Sequence, residues 1–467
     1  MAKALFKKST LHLIWQALSG KEFEYTSGSI NKAIFLLAVP MIFEMVMESL
    51  FAVVDVYFVA KVSVNAVATV GLTESVMMII YSIGVGLSMA TTAIISRRVG
   101  EKKFKRAGDA AFQSILIALV ISVVLGLAGY LFAEDVLRLM GGKPELIAQG
   151  LGYTKVMYAF NFTAIFLFLL NAIFRGAGNP MLAMISLWIA NGLNMLLDPL
   201  LIFGCGPIPA MGIEGAAIAT NIGRGIGVLL QLYFLLKGIG TVKVGISNML
   251  VRMKTIWEIV KISAGGIGQF LVESASWIFL VRIMAHFGEE ALAGYTIAFR
   301  VIIFTLLPSW GMANAAATLV GQNLGAGQPE RAEQSVWKTA LYNTYFLLAV
   351  SIVFFIFAEP ILGLFEQTAA VNEIGMSALK IICTGYIFFS YGMVIGQAFN
   401  GAGDTTTPLV ISLIVFWLIQ IPLAYLLAIE WYYGSNAVFA SISICHSIYA
   451  ILAMILFKRG KWKMTKV

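Results

Sequence analysis

Six carboxylic acids sit in stretches otherwise built of apolar residues: Glu44, Glu48, Asp55, Glu74, Asp198 and Glu273. A charge held at the centre of a bilayer costs at least about 2.5–3.5 kcal/mol, so acids at such depth mark function. At about 100° per residue, Glu48 and Asp55 lie about 40° and 20° from Glu44 around a helix, which makes one acidic face. Downstream, Asn191, Asn194 and Asp198 fall within about 60° of one another and make a second polar face. Pro199 follows Asp198 directly. Its missing N–H and its clash with the preceding turn free a backbone carbonyl beside that carboxylate. Oxygen ligands of this kind suit hard cations, and carboxylates shielded from water suit protons. Pro40, on the helix of the acidic face, offers a second point of bending.

Depth brings these groups together. With a rise of about 1.5 Å per residue, Asp198 lies about 25 Å along its helix, and Thr220, entering from the opposite surface, reaches a similar level. Asp55 falls in the same outer half. The spacing predicts one cation or proton site formed by Asp55, Asn194, Asp198 and Thr220, and the same four groups would ligate Na+ if sodium is the ion. Arg224, one turn from Thr220, is expected to act as a counter-ion, while Arg282 and Arg300 are expected to pair or snorkel. His446 reads as a packed histidine and His286 as an interfacial one.

These groups need long apolar elements to hold them. Of the 467 residues, 60% are hydrophobic and only 12% charged, too few charges to cover the surface of a water-soluble chain of this length. A span takes about 20 mostly apolar residues. Twelve such segments are read near 33–59, 66–95, 110–133, 151–174, 181–203, 213–236, 256–287, 291–320, 335–358, 376–399, 408–429 and 436–457. The fold class is therefore all-α, a polytopic membrane protein with twelve transmembrane helices. An even count puts both termini on one side, and 24 of the 32 Lys and Arg residues fall on that side, which the positive-inside rule makes cytoplasmic. Residues 1–32, with Lys3, Lys7 and Lys8, read as an interfacial arm, and 458–467 as a basic cytoplasmic tail.

One internal offset recurs. FRGAG at 174–178 lies 225 residues before FNGAG at 399–403; VGEKKFKRA at 99–107 lies over LGAGQPERA at 324–332; Glu48-Ser49 lies over Glu273-Ser274. Three regions in one register indicate a duplication. Six helices separate the copies, so the halves are parallel repeats about an axis along the membrane normal. The first six-helix lobe spans 33–236 and the second 256–457, with 237–255 as a cytoplasmic linker. A cavity between two such lobes points to a transporter. In that cavity Glu44, Glu48, Asn191 and Glu273 would meet substrate or provide secondary coupling. Asp55 aligns with Leu280, and matching Asp198-Pro199 to Ile421-Pro422 gives Ile421, so the ion site belongs to the first lobe alone.

Taken together, VVDVYFVAK at 53–61, the two loop motifs, FRGAGNP, FNGAGDTTTP and NMLLDPLLIFG at 194–204 resemble the multidrug and toxic compound extrusion (MATE) transporters over essentially the whole chain. The resemblance implies two six-helix lobes in a V, alternating access, and export of cationic or amphipathic compounds in exchange for H+ or Na+. It also implies that Asp55 matches the first-helix aspartate of the family, and that Asn194, Asp198 and Thr220 match the N-lobe polar cluster of the DinF-like branch. Glu273 matches the seventh-helix glutamate of the NorM-like branch, but Phe389-Ser390 stands where NorM-like members carry an aspartate. That departure favours the DinF-like branch and an N-lobe coupling centre.

Other classes fit less well. A lipid-linked sugar flippase of the same superfamily would want a basic cavity for pyrophosphate, against six acids and three arginines within these helices. A major facilitator transporter would carry an aspartate before the basic run ISRRVGEKK at 94–102, and none is there. Cys205, Cys383 and Cys445 have neither metal nor disulfide spacing, and no nucleophile–base pair is evident, so no enzyme is expected. The expected partners are small organic cations and the lipid bilayer, without nucleic acid and with a monomeric chain. No cofactor beyond the coupling ion H+ or Na+ is expected. The expected location is the cytoplasmic (inner) cell membrane.

Overall fold

A computed structural model describes residues 13–20, 23–365 and 368–467. The rest of the expected N-terminal arm, residues 1–12 and 21–22, lies outside them. The described chain is helical. Eleven helices are long and apolar enough to cross a membrane, and a bent pair makes the twelfth span. In chain order they are α1 (Ile30–Ala60), α2 (Asn65–Gly100), α3 (Phe104–Leu131), α4 (Pro144–Gly176), α5 (Pro180–Phe203), α6 (Gly212–Lys237), α7 (Met253–Ala285), α8 (Glu289–Gly325), α9 (Pro329–Gly363), α10 (Ala369–Cys383 and Tyr386–Ala402), α11 (Thr406–Glu430) and α12 (Ser435–Lys458). Ten contain the segment read from the sequence for them, while α3 and α7 each end two residues before theirs, and the protein is a multi-pass membrane protein.

Local chemistry sets the ends. Ser29 and Ser63 cap α1 and the start of the next helix by accepting from the backbone N–H groups of Lys32 and Ala66. Pro144, Pro180 and Pro329 open α4, α5 and α9, where their missing N–H costs nothing. Outward rows such as Leu119, Val120, Val123, Val124 and Leu127 on α3 are exposed, as a lipid-facing stripe must be. Two features were not read from the sequence. The halves of α10 meet at 60° around Thr384-Gly385, and α11 widens into π-helical turns over Leu413–Gln420 and Leu426–Glu430.

The duplication governs how the lobes touch. On α2, Gly86 packs against Ile267 and the carbonyl of Ser263 on α7, so closely that a Cβ there would lie 2.5 Å from the Ile267 nitrogen. On α8, Gly311 packs against Met41 and Ile42 of α1, 2.7 Å from the Met41 carbonyl by the same measure. These are one contact written twice, because residues 86 and 42 plus the repeat offset of 225 give 311 and 267. The backbones of α2 and α8 also converge at their ends. Gly100 abuts Gln322, Gly325 abuts Arg97, and Ser96 faces Gly321. Each pair maps onto its partner by the same offset, so the pseudo-two-fold axis runs between Ser96 and Gly321.

Segments outside the helices cross between lobes at this end. Arg331 of α9 donates to the carbonyls of Tyr25, Ser27 and Gly28, ahead of α1. Arg97 of α2 donates to the carbonyls of Ala402 and Thr465 at 3.4 and 3.0 Å, and Val467 packs on the cluster that joins the core of the first lobe to Ile259 and Ile262 of α7. The linker folds onto α3 through Asn248, which donates to Asp109 at 2.8 Å, and through Arg252, paired with Asp109 at 3.2 Å.

Candidate functional site

Helix α5 carries its polar face inward. Asn191, Asn194 and Asp198 are all buried, and the periodicity of the sequence placed them on one side. Across from them, Thr220 on α6 accepts a hydrogen bond from Asn194 Nδ2 at 3.0 Å, and the same amide reaches Asp198 Oδ1 at 3.5 Å. Three of the four expected ligands are therefore together. Asp198 Oδ2 and Asn194 Oδ1 are buried without a protein hydrogen-bond partner. Two orphaned oxygens beside a hydroxyl are the donor set that a proton or a hard cation would complete. Among the described residues no hydrogen bond joins Asp55 to this trio. Asp55 stands within electrostatic reach of Asp198, Glu74 and Arg224, on the same side of the lobe.

The remaining acids of α1 have partners of their own. Glu48 accepts from Asn191 Nδ2 at 2.9 Å, so Asn191 joins this acid and not the trio. Glu44, fully buried, accepts from Asn171 Nδ2 at 2.9 Å and pairs with Arg175 at 3.5 Å, while Gln231 donates to Asn171. Arg175, Asn171 and Gln231 were not picked out from the sequence, although a signal was there. The position of Glu44 repeats as Gln269 and that of Arg175 as Asn400, and in the second lobe Asn400 donates to Gln269 at 3.3 Å. A charged pair in one lobe thus stands where the other keeps a neutral pair.

Glu273 belongs to α7 of the second lobe. Its Oε1 accepts from Ser412 at 3.0 Å and from Gln269 at 3.4 Å, and no Lys or Arg of the described residues lies within ion-pair distance. His446 is packed among rings, 4.1 Å from Phe389 and 4.9 Å from Phe416 between centroids, as expected of a packed histidine. His286 caps the C-terminus of α7. Pro40 and Pro199 lie inside continuous helices. Arg224 is poised over the Phe51 ring at 5.9 Å.

Two adjoining cavities occupy the seam between the lobes. The first, about 270 Å³, is lined by Glu44, Glu48, Tyr81, Arg175 and Arg224; the second, about 370 Å³, by Glu273, Trp277, Phe389, Phe416 and His446. Met89, Phe270, Leu307, Trp310 and Gln397 line both, so the two form one chamber divided by a waist. The Asn194–Asp198–Thr220 cluster lines neither cavity. No group of three or more His, Cys, Asp or Glu side chains with metal-site geometry occurs among the described residues.

Comparison with known proteins agrees with this architecture. The family model MatE matches residues 40–200 and 267–426, one match in each lobe. The chain is 27% identical over 446 residues to the probable multidrug resistance protein NorM of Thermotoga maritima, covering 94% of each chain. It is 23% identical over 436 residues to the multidrug export protein MepA of Staphylococcus aureus, covering 93% of this chain and 95% of the other. A crystal structure of MATE in complex with MaL6 superposes with a TM-score of 0.88 at 25% identity, over 97% of this chain and 99% of that one.

Proposed function

Since the chain belongs to the MatE family of multidrug transporters, we propose that it is a secondary antiporter that exports organic cations or amphipathic compounds in exchange for H+ or Na+ by alternating access. Members of the family are transporters and not enzymes, and membership sets aside the major facilitator reading. The observation that carries the coupling half of the proposal is the buried Asn194–Asp198–Thr220 cluster with its two orphaned oxygens, one turn along α5 from Asn191, which donates to the cavity acid Glu48.

In this reading Asp55 receives the incoming ion at the outer end of α1 and Asp198 holds it. Neutralising these carboxylates removes the repulsion between two like charges that face each other across packed helices α1 and α5. The helix then bends at Pro40, carries Glu44 and Glu48 with it, and reshapes the cavity that held cargo. The membrane potential adds about 2.3 kcal/mol per elementary charge per 100 mV, enough to sustain concentration ratios of tens. Both termini face the cytoplasm of the cell membrane, and one chain is the working unit.

Dye efflux from proteoliposomes, under an imposed pH gradient with and without Na+, tests the proposal. Wild type should export a fluorescent cation with one gradient or the other. Asp55→Asn and Asp198→Asn should each abolish gradient-driven efflux while the purified protein keeps its gel-filtration profile. Full efflux in both variants would remove the coupling role from these two residues.

A further inference from the structure

Arg224 is a cation at bilayer depth without an ion pair of its own. It stands near the middle of α6, one turn past Thr220, and lines the first cavity together with Glu48 and Tyr81. Among the described residues no carboxylate lies within ion-pair distance of its guanidinium. The group lies instead over the ring of Phe51 at 5.9 Å. Phe51 shares one face of α1 with Glu48, a turn before it, and Asp55, a turn after it, and those two acids stand about 10 Å apart along the helix. The guanidinium is therefore held between a carboxylate that opens on the chamber and one that belongs to the outer end.

Each element packed around it adds to this balance. Glu48 and Asp55 act on it from α1, Glu74 and the Tyr81 hydroxyl from α2, and Tyr153 from α4; Asp198 of α5 joins the same field through Asp55. Tyr81 donates to Glu74 Oε1 at 3.4 Å and lies beside the guanidinium, so its hydroxyl bridges the two seats. Two carboxylates draw the cation outward and one draws it to the chamber. A bidentate carboxylate would fix an arginine, and here none does. The duplication also separates Arg224 from the cavity acid. At an offset of 222, which sets Gly212 on Gly434, Ile222 on Ile444 and Leu230 on Leu452, Arg224 falls on His446. At the 225-residue offset Asp55 and Glu74 fall on Leu280 and Phe299, whereas Glu48 falls on Glu273. The second lobe keeps the cavity carboxylate and loses the arginine together with both outer acids.

We propose that Arg224 is a tethered cation that couples cargo to ion: it leans on Glu48 while the incoming ion occupies the outer acids, and on Asp55 and Glu74 when cationic cargo fills the chamber. The inference rests on the antiport function proposed above but fails independently of it. Cargo charge in the chamber repels the guanidinium, and its arrival beside Asp55 and Glu74 favours their ionised form. When the ion is a proton, the O–H bond of one outer carboxyl breaks and the proton passes to water. No other bond changes, and the lobe exchanges one positive charge for another. An ion arriving from outside sends the guanidinium back to Glu48, where its charge opposes that of the cargo. Cargo and ion then exchange without sharing a ligand, and Arg224 acts as a positioning residue for both.

Equilibrium binding of tetraphenylphosphonium to the purified full chain in nanodiscs, at neutral pH with no gradient present, tests it. Arg224→Gln removes the competing charge and should tighten binding about tenfold, while Arg224→Lys should stay within about threefold of wild type. Glu74→Gln weakens the outer seat, leaves the guanidinium nearer the chamber and should weaken binding about threefold or more. An arginine that only packed the lobe would not give these opposite signs. Where Arg224→Gln fails to purify, the sign in Glu74→Gln decides alone. Unchanged or weaker binding in Arg224→Gln, unchanged or tighter binding in Glu74→Gln, an Arg224→Lys that behaves as Arg224→Gln, or no binding to wild type would each overturn the role. A wild type that exports the cation under a gradient while Arg224→Gln binds it no tighter refutes this role and keeps the transport function. Opposite signs in a chain that exports nothing under any gradient do the reverse.

Discussion

Glu44 and Arg175 show what a single residue can and cannot reveal in a sequence. The helical spacing of Glu44, Glu48 and Asp55 marks an acidic face, and that of Asn191, Asn194 and Asp198 a polar one, because both depend only on rotation about one helix. The partners of those faces come from other helices. Arg175 and Asn171 on α4 and Gln231 on α6 have no periodic relation to Glu44 and emerge only when the helices pack. Removing one member of a buried pair leaves an uncompensated charge, a loss of about 3–5 kcal/mol, whereas a neutral pair of similar volume is tolerated. The second lobe supplies that neutral pair. Arg175→Asn alone should therefore markedly lower the thermal unfolding temperature in detergent, and the double variant Glu44→Gln/Arg175→Asn should recover most of it. A double variant no more stable than the single would show that the pair is not the unit. Outside the membrane, burial pushes the Glu101 carboxyl up, but Lys103 at 2.9 Å and Arg98 at 3.3 Å outweigh it and hold the group below its ordinary value. Its contribution is present above the unfolded carboxylate pKa of about 4.3 and is lost as pH falls through the lower folded value. Glu101→Gln should thus cost up to about 1 kcal/mol near neutral pH. Melts compared across pH should show that cost vanishing on the acid side.

At the scale of elements, apolar length was enough to find every span, since a bilayer demands about 20 apolar residues whatever the fold. Bends were not found, because hydropathy reports length and not direction. The kink of α10 at Thr384-Gly385 and the wide turns of α11 leave the apolar run uninterrupted. Helix crossings were equally hidden: Gly86 and Gly71 look alike in α2, yet only Gly86 meets another backbone. A Cβ at Gly86 would sit 2.5 Å from the Ile267 nitrogen and 2.8 Å from the Ser263 carbonyl, while one at Gly71 has nothing within 4 Å. Overpacking of that kind typically costs about 1–3 kcal/mol. Gly86→Val and its repeat counterpart Gly311→Val should each lower thermal stability, and Gly71→Val should not. Equal melting temperatures for Gly86→Val and Gly71→Val would mean that the lobes separate at this crossing without cost.

For the whole molecule, the offset of 225 residues was legible as a parallel duplication, but which surfaces meet across the axis was not, since a repeat fixes relation and not contact. The structure places that contact at the ends of α2 and α8, where Gly100 abuts Gln322 and Gly325 abuts Arg97. Onto this backbone seam the segment after α12 adds a strap. It belongs to the second lobe by sequence, yet Thr465 accepts from Arg97 of the first. Opening this end, as the proposed alternating access requires, breaks these contacts, so each is a counterweight to that state. A hydrogen bond from a charged donor is worth about 1.5–3 kcal/mol, and losing it should raise the population of the opened end by roughly tenfold or more. Ser96, fully buried against Gly321, reports on that opening. With the exposed Cys205 replaced by serine, a cysteine at Ser96 should react slowly with a water-soluble maleimide, and about tenfold faster once Arg97→Ala removes the strap's anchor. Unchanged labelling would assign closure of this end to the glycine-lined backbone seam alone and leave the strap a passive passenger of the second lobe.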